Sequence, residues 1–123
     1  MSESTEQQAV VRWYNLQYPH RLIIAIPNGS WLSGSARLRA ILMQKMKREG
    51  LVVGASDLLI AYPSGTYHGL FLEMKDIGRT WCSVKKEQRL FMKVARQQGY
   101  AATWAAGSEI AKQEIEDYFN NLE

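Results

Sequence analysis

The sequence predicts an α/β fold: a mixed β-sheet flanked by helices on both faces, with elements in the order α-β-α-β-β-α-β-α. Three observations predict it. Apolar residues switch between helical and strand-like spacing along the chain. Pro19, Gly50 and Gly99 fall at the boundaries between those segments. The segment 57–75 is apolar on both alternations, with Leu58, Ile60, Tyr62, Leu70 and Leu72 on one and Leu59, Ala61 and Phe71 on the other. A strand pair apolar on both sides needs cover on both.

Each element has its own reason. Residues 5–18 form a helix, capped by Ser4 or Thr5, with Val10, Trp13, Tyr14 and Gln17 on one stripe, and Pro19 stops it. Residues 20–26 are a strand ending at Pro27-Asn28-Gly29, and 30–35 are a loop around Trp31. Residues 36–49 form a helix with Leu38, Ile41, Leu42 and Met46 at helical spacing, and Gly50 ends it. Residues 57–62 and 68–75 are strands joined across Pro63-Ser64-Gly65-Thr66, a turn composition. A loop over 76–83 leads to a helix over 84–98, closed by Gly99. A short strand over 100–104 precedes a last helix, capped by Ser108 and carrying Ile110, Ala111, Ile115, Tyr118, Phe119 and Leu122 on its apolar stripe. There is no repeat or linker, so residues 1–123 read as one domain.

Composition narrows the function. No apolar run approaches the roughly 20 residues that span a membrane, and the polar, acidic start is no signal peptide. Cys82 is the sole cysteine, which excludes an intrachain disulfide and a thiolate-built metal site and suits a reducing cytoplasm. Net charge is only +3, but the bases are clustered. Residues 37–48 hold Arg37, Arg39, Lys45, Lys47 and Arg48 with no acid, and 79–96 hold six bases against Glu87. Such runs fit a solvated face or a nucleic-acid footprint.

The stretch Gly69-Leu-Phe-Leu-Glu-Met-Lys75 puts charge at the end of a buried strand. With the turn centred on Gly65, Asp57 falls opposite Glu73 on one face. Two carboxylates about 5 Å apart repel by roughly 3 kcal/mol at an effective dielectric near 20. A hard divalent cation would neutralise the pair. Lys75 shares that face, and the Met74 carbonyl is available as a third ligand while its side chain enters the core. The alternative is a strand leaving the core with Glu73 and Lys75 solvated. A one-residue slip would send the two acids to opposite faces.

An acid, a spacer and Glu-x-Lys on a hairpin resemble the PD-(D/E)xK nuclease superfamily. Further elements fall in order: Glu6-Gln7-Gln8 in the first helix, Pro27-Asn28-Gly29, Gly54-Ala55-Ser56-Asp57, Leu72-Glu73-Met74-Lys75, Lys86-Glu87-Gln88 and Gly99. The set resembles the stand-alone phage and bacterial form of the VRR-NUC family over roughly residues 5–105, with Ser56 where that family usually has Pro. The resemblance implies a restriction-endonuclease-like core and a Mg²⁺- or Mn²⁺-dependent endonuclease with no organic cofactor. Asp57, Glu73 and the Met74 carbonyl would hold the metal. Lys75 would position the attacking water and stabilise the scissile phosphate. Gln88 would orient Lys75 or the water, and Glu6 would bind metal-bound water or a second ion. The substrate would be branched or duplex DNA, cut in the manner of a Holliday junction resolvase by a homodimer in the cytoplasm of a bacterial or phage-infected cell. A flap or nicking endonuclease, and a non-catalytic DNA-binding module, are the alternatives.

Backbone charge contacts dominate DNA affinity. Arg79, Lys85, Lys86 and Arg89 are the expected phosphate contacts, with Arg37 and Lys45 next. Trp81, in a polar loop, is a candidate for stacking on a base. Trp13, Tyr14 and Trp104 read as core or interface. His20 and His68 stand at a strand start and after a turn and do not read as ligands.

Overall fold

A computed structural model describes residues 2–28 and 32–121, so Gly29, Trp31 and Leu122 lie outside the described residues. The elements are α1 (Glu3–Gln17), β1 (Ile23–Ala25), α2 (Ala36–Arg48), β2 (Leu58–Ile60), β3 (Leu70–Lys75), α3 (Lys86–Gln97), β4 (Ala101–Ala106) and α4 (Ser108–Phe119), with one 3-10 turn at Trp81–Ser83. The order matches the expected one. The sheet runs β1-β2-β3-β4. The first two junctions are antiparallel and the last is parallel, with α3 as the crossover.

The hairpin register is the one the turn position implies. Leu58 pairs with Leu72, Leu59 with Phe71 and Ile60 with Leu70. Leu58, Ile60, Leu70, Leu72 and Met74 therefore share a face, and they pack with Val10 and Tyr14 of α1 and with Ala111, Ile115 and Tyr118 of α4. On the opposite face, Phe71 and Trp104 pack against a smaller cluster of Val84, Met92, Ala95 and Ala102 under α3.

Several expectations need correction. α1 starts earlier, because Ser2 rather than Ser4 or Thr5 is its cap, its Oγ accepting from the Thr5 amide at 3.2 Å. β1 is shorter than 20–26, because the Arg21 amide still closes a turn onto the Tyr18 carbonyl. Ser108 is the first residue of α4, not its cap, and its amide is satisfied by Glu6 Oε1 at 2.9 Å. The apolar stripe of α2 is not buried: no residue of this helix is, and Leu38 and Ile41 are about half exposed. Helical periodicity places side chains on one side of a helix but does not supply the surface that covers them.

Candidate metal centre

The site forms where β2 begins, one residue later than expected. Leu58 is its first residue, so Asp57 lies one step beyond the ladder, in the position opposite Glu73. Its main chain still follows the sheet, the Asp57 carbonyl accepting from the Ile26 amide at 2.8 Å. Its side chain turns inward and takes over from backbone. Asp57 Oδ2 accepts from the Met74 amide at 2.8 Å, and Oδ1 accepts from Asn28 Nδ2 at 3.3 Å. The carbonyl and amide of one strand residue point the same way, so the Met74 carbonyl also faces the Asp57 side.

The approach to Asp57 is set by Gly54, which has φ of +85°. A Cβ there would lie 2.4 Å from the Glu87 backbone, so only glycine lets this segment press against the start of α3. Ser56 is buried with its Oγ unpartnered. Serine thus occupies the position as spacer, making no hydrogen bond through its hydroxyl.

Glu73 is 2% exposed. Gln88 Nε2 donates to its Oε2 at 3.1 Å, and Lys75 Nζ lies 3.8 Å from the same oxygen. Its Oε1 is buried and finds no hydrogen-bond donor. The carboxyl is raised from 4.5 to about 9, chiefly by burial away from water. Asp57 adds to this rise by its charge, while Lys75 pulls the carboxyl down and Glu3 adds weak repulsion. Lys75 is itself nearly buried, and its carbonyl accepts from the Gly107 amide at 3.0 Å.

Gln88 sits in the first turn of α3. Its Oε1 accepts from the Lys85 amide at 2.8 Å while its Nε2 reaches Glu73. It thus anchors the carboxylate to the helix start, on the same Glu73 oxygen that Lys75 approaches; it was expected to orient Lys75 or the water. Glu6 lies elsewhere as well. It is buried as the acceptor for Ser108, and Glu3 lines the cleft in its place, with Asn28, Asp57, Glu73, Lys75, Lys85 and Gln88. The sequence signal for Glu3 was present, since both acids fall in the first turn of α1. Spacing alone could not say which of the two would meet α4.

The cleft has a volume of about 450 Å³. Among the described residues no group of three His, Cys, Asp or Glu side chains could hold a metal ion. A cation here would rest on Asp57, Glu73 and the Met74 carbonyl. These are oxygen donors, and the unpartnered Oε1 of Glu73 is a buried acceptor lacking a donor. That set fits a hard divalent ion.

The expected phosphate contacts divide. Arg79, Lys85 and Lys86 are exposed, and Lys85 reaches the cleft wall. Arg89 is committed instead, because its Nε and Nη2 donate to the Val84 and Trp81 carbonyls at 2.8 and 2.7 Å. Arg37 and Lys45 are exposed on α2, with Lys45 3.5 Å from Glu49. Met43 of the same helix borders the cleft.

No family model matches the sequence, and no curated protein does. A solved structure of a VRR_NUC domain protein matches it with a TM-score of 0.75 and 24% identity, over 98% of this chain and 89% of that one. Element order, mixed sheet and this superposition agree, and the chain has the fold of a VRR-NUC domain, an α/β fold of the restriction-endonuclease type.

Proposed function

We propose that the chain is a Mg²⁺- or Mn²⁺-dependent endonuclease that cuts branched DNA as a homodimer, in the manner of a Holliday junction resolvase. One observation carries this reading. A buried glutamate with an unpartnered oxygen faces a second carboxylate, and a buried ammonium lies beside it. Folding gains nothing from burying an acid against its charge, whereas phosphodiester hydrolysis can use every part of the arrangement.

A divalent cation, when held by Asp57, Glu73 and the Met74 carbonyl, lowers the pKa of water and polarises a phosphoryl oxygen. The chain supplies the rest. Lys75 places fixed positive charge where negative charge grows on the scissile phosphate. Asn28 and Gln88 hold the two carboxylates in place. Glu3 is the acid that α1 offers to water in the cleft, the part expected of Glu6. Arg79, Lys85 and Lys86 grip the DNA backbone, with Arg37 and Lys45 on α2 extending the basic surface. None of these residues forms a base-reading helix motif, which favours selection of DNA by shape over sequence.

The test compares a four-way junction, a flap and a linear duplex at equal salt, in Mg²⁺, in Mn²⁺ and in EDTA. We expect metal-dependent cleavage, fastest on the junction. A preference for the flap would make the protein a flap endonuclease. Binding without turnover in either metal would make it a non-catalytic module and end the proposal.

The homodimer is supported by what a single copy leaves uncovered. Leu38 and Ile41 of α2, Ile24 of the edge strand β1, and Val52 and Val53 are all exposed. Substituting Ile41→Glu should leave the fold intact and convert a dimer to a monomer in sedimentation equilibrium. An unchanged mass would remove α2 from the interface. The proposed substrate places the protein in the cytoplasm, and among the described residues no helix is long and apolar enough to cross a membrane.

A further inference from the structure

Trp81 is a large aromatic that the fold holds firmly yet leaves 42% exposed. Its backbone is fixed three ways. The Val84 amide donates to the Trp81 carbonyl at 3.0 Å, Arg89 Nη2 donates to the same carbonyl, and the Ser83 hydroxyl closes the turn onto the Thr80 carbonyl at 2.7 Å. Its ring is fixed as well. The Arg89 guanidinium carbon lies 4.4 Å from the ring centroid, and the Trp104 ring is 6.1 Å away. An aromatic recruited for packing alone would be driven under cover, whereas this one is braced from beneath with surface left open.

Register locates it. Trp104 is the β4 partner of Glu73, and paired strand residues project to the same face. Across that face run Asp57, Glu73, Trp104 and then Trp81. Arg79 precedes Trp81 by two residues and Lys85 follows by four, both exposed. A flat ring flanked by exposed cations, joined to Glu73 through Trp104 and to the cleft wall through Lys85, is the combination that holds a single-stranded nucleotide.

We propose that Trp81 is a stacking platform for an unpaired nucleobase beside the scissile phosphate, so that the protein selects DNA where a duplex opens into single strand. This rests on the nuclease reading above and adds the feature of the substrate that is recognised. Arg89 and Trp104 are positioning residues that hold the ring.

The experiment uses the full chain and two DNAs of equal length. One is fully paired, and the other carries a single unpaired 2-aminopurine. Binding is read in EDTA by fluorescence quenching, and cleavage is read in Mg²⁺. For Trp81→Ala, confirmed as folded by circular dichroism and melting temperature, preference for the unpaired substrate should fall roughly 10- to 100-fold in both readouts. Trp81→Phe should keep most of it. If wild type cleaves DNA and Trp81→Ala keeps the same preference, the platform is overturned and the nuclease stands. If wild type never cleaves but quenches 2-aminopurine through Trp81, the nuclease reading falls and the platform stands. Neither binding nor cleavage overturns both.

Discussion

Replacing Lys75 by alanine should lower the rate of metal-dependent DNA cleavage by about 100- to 1,000-fold or more, with the protein still folded. Its side chain is nearly buried and lies 3.8 Å from Glu73 Oε2. It is the positive charge that draws the Glu73 carboxyl down against burial and Asp57. Its removal takes a fixed charge from the reaction and also makes Glu73 harder to ionise, so affinity for the ion should fall with it. Arginine should not rescue, because a planar guanidinium cannot occupy the place of a compact buried ammonium. Asp57→Ala should abolish cleavage too, and should lower stability by about 1–3 kcal/mol, since the Met74 amide and Asn28 lose their acceptor. Rates are to be measured on a four-way junction in Mg²⁺. Undiminished cleavage by either purified, folded variant would remove the assignment.

Glu73→Gln should do two opposite things. It should abolish cleavage, because a neutral amide cannot serve as an anionic ligand. It should also stabilise the metal-free protein at alkaline pH. The folded carboxyl is raised from 4.5 to about 9. A raised carboxyl binds its proton more tightly in the folded state than in the unfolded one. Its contribution to stability is therefore complete below pH 4.5 and drains away as pH rises towards 9. Glutamine does not titrate and loses nothing. The melting curves of the two proteins should diverge steadily across that window, the variant being the more stable at its upper end. Mg²⁺ should raise the melting temperature of wild type at pH 8 and leave the variant unmoved. Parallel melting curves at all pH values would mean that Glu73 is not held against its charge.

The two predictions rest on residues that could be read from the sequence, and the reason is geometric. A turn centred on Gly65 fixes the pairing of everything on either side, and the observed pairs Leu58–Leu72 and Ile60–Leu70 are those it implies. Side-chain period then places Asp57, Glu73 and Lys75 together. Element order was legible for a similar reason, because Gly50 and Gly99 mark ends that a helix cannot pass cheaply. What the sequence hid is contact between distant segments. Glu3 and Glu6 look alike in one dimension, and only the arrival of Ser108 separates them. Arg89 looks like any surface base until the carbonyls of Trp81 and Val84 fold beneath it. The stripe on α2 is visible in the sequence, yet its exposure is a property of where the helix stands.

The last rung between β2 and β3 is a carboxylate gripping the Met74 amide instead of a second peptide group. Peptide rungs part only when whole strands slide or peel, but a side chain can swivel about its own bonds. The mouth of the cleft can thus widen by a rotamer change while the ladder behind it stays shut. Compliance would then be confined to one hinge of a few atoms, at the end of the sheet's central strand pair.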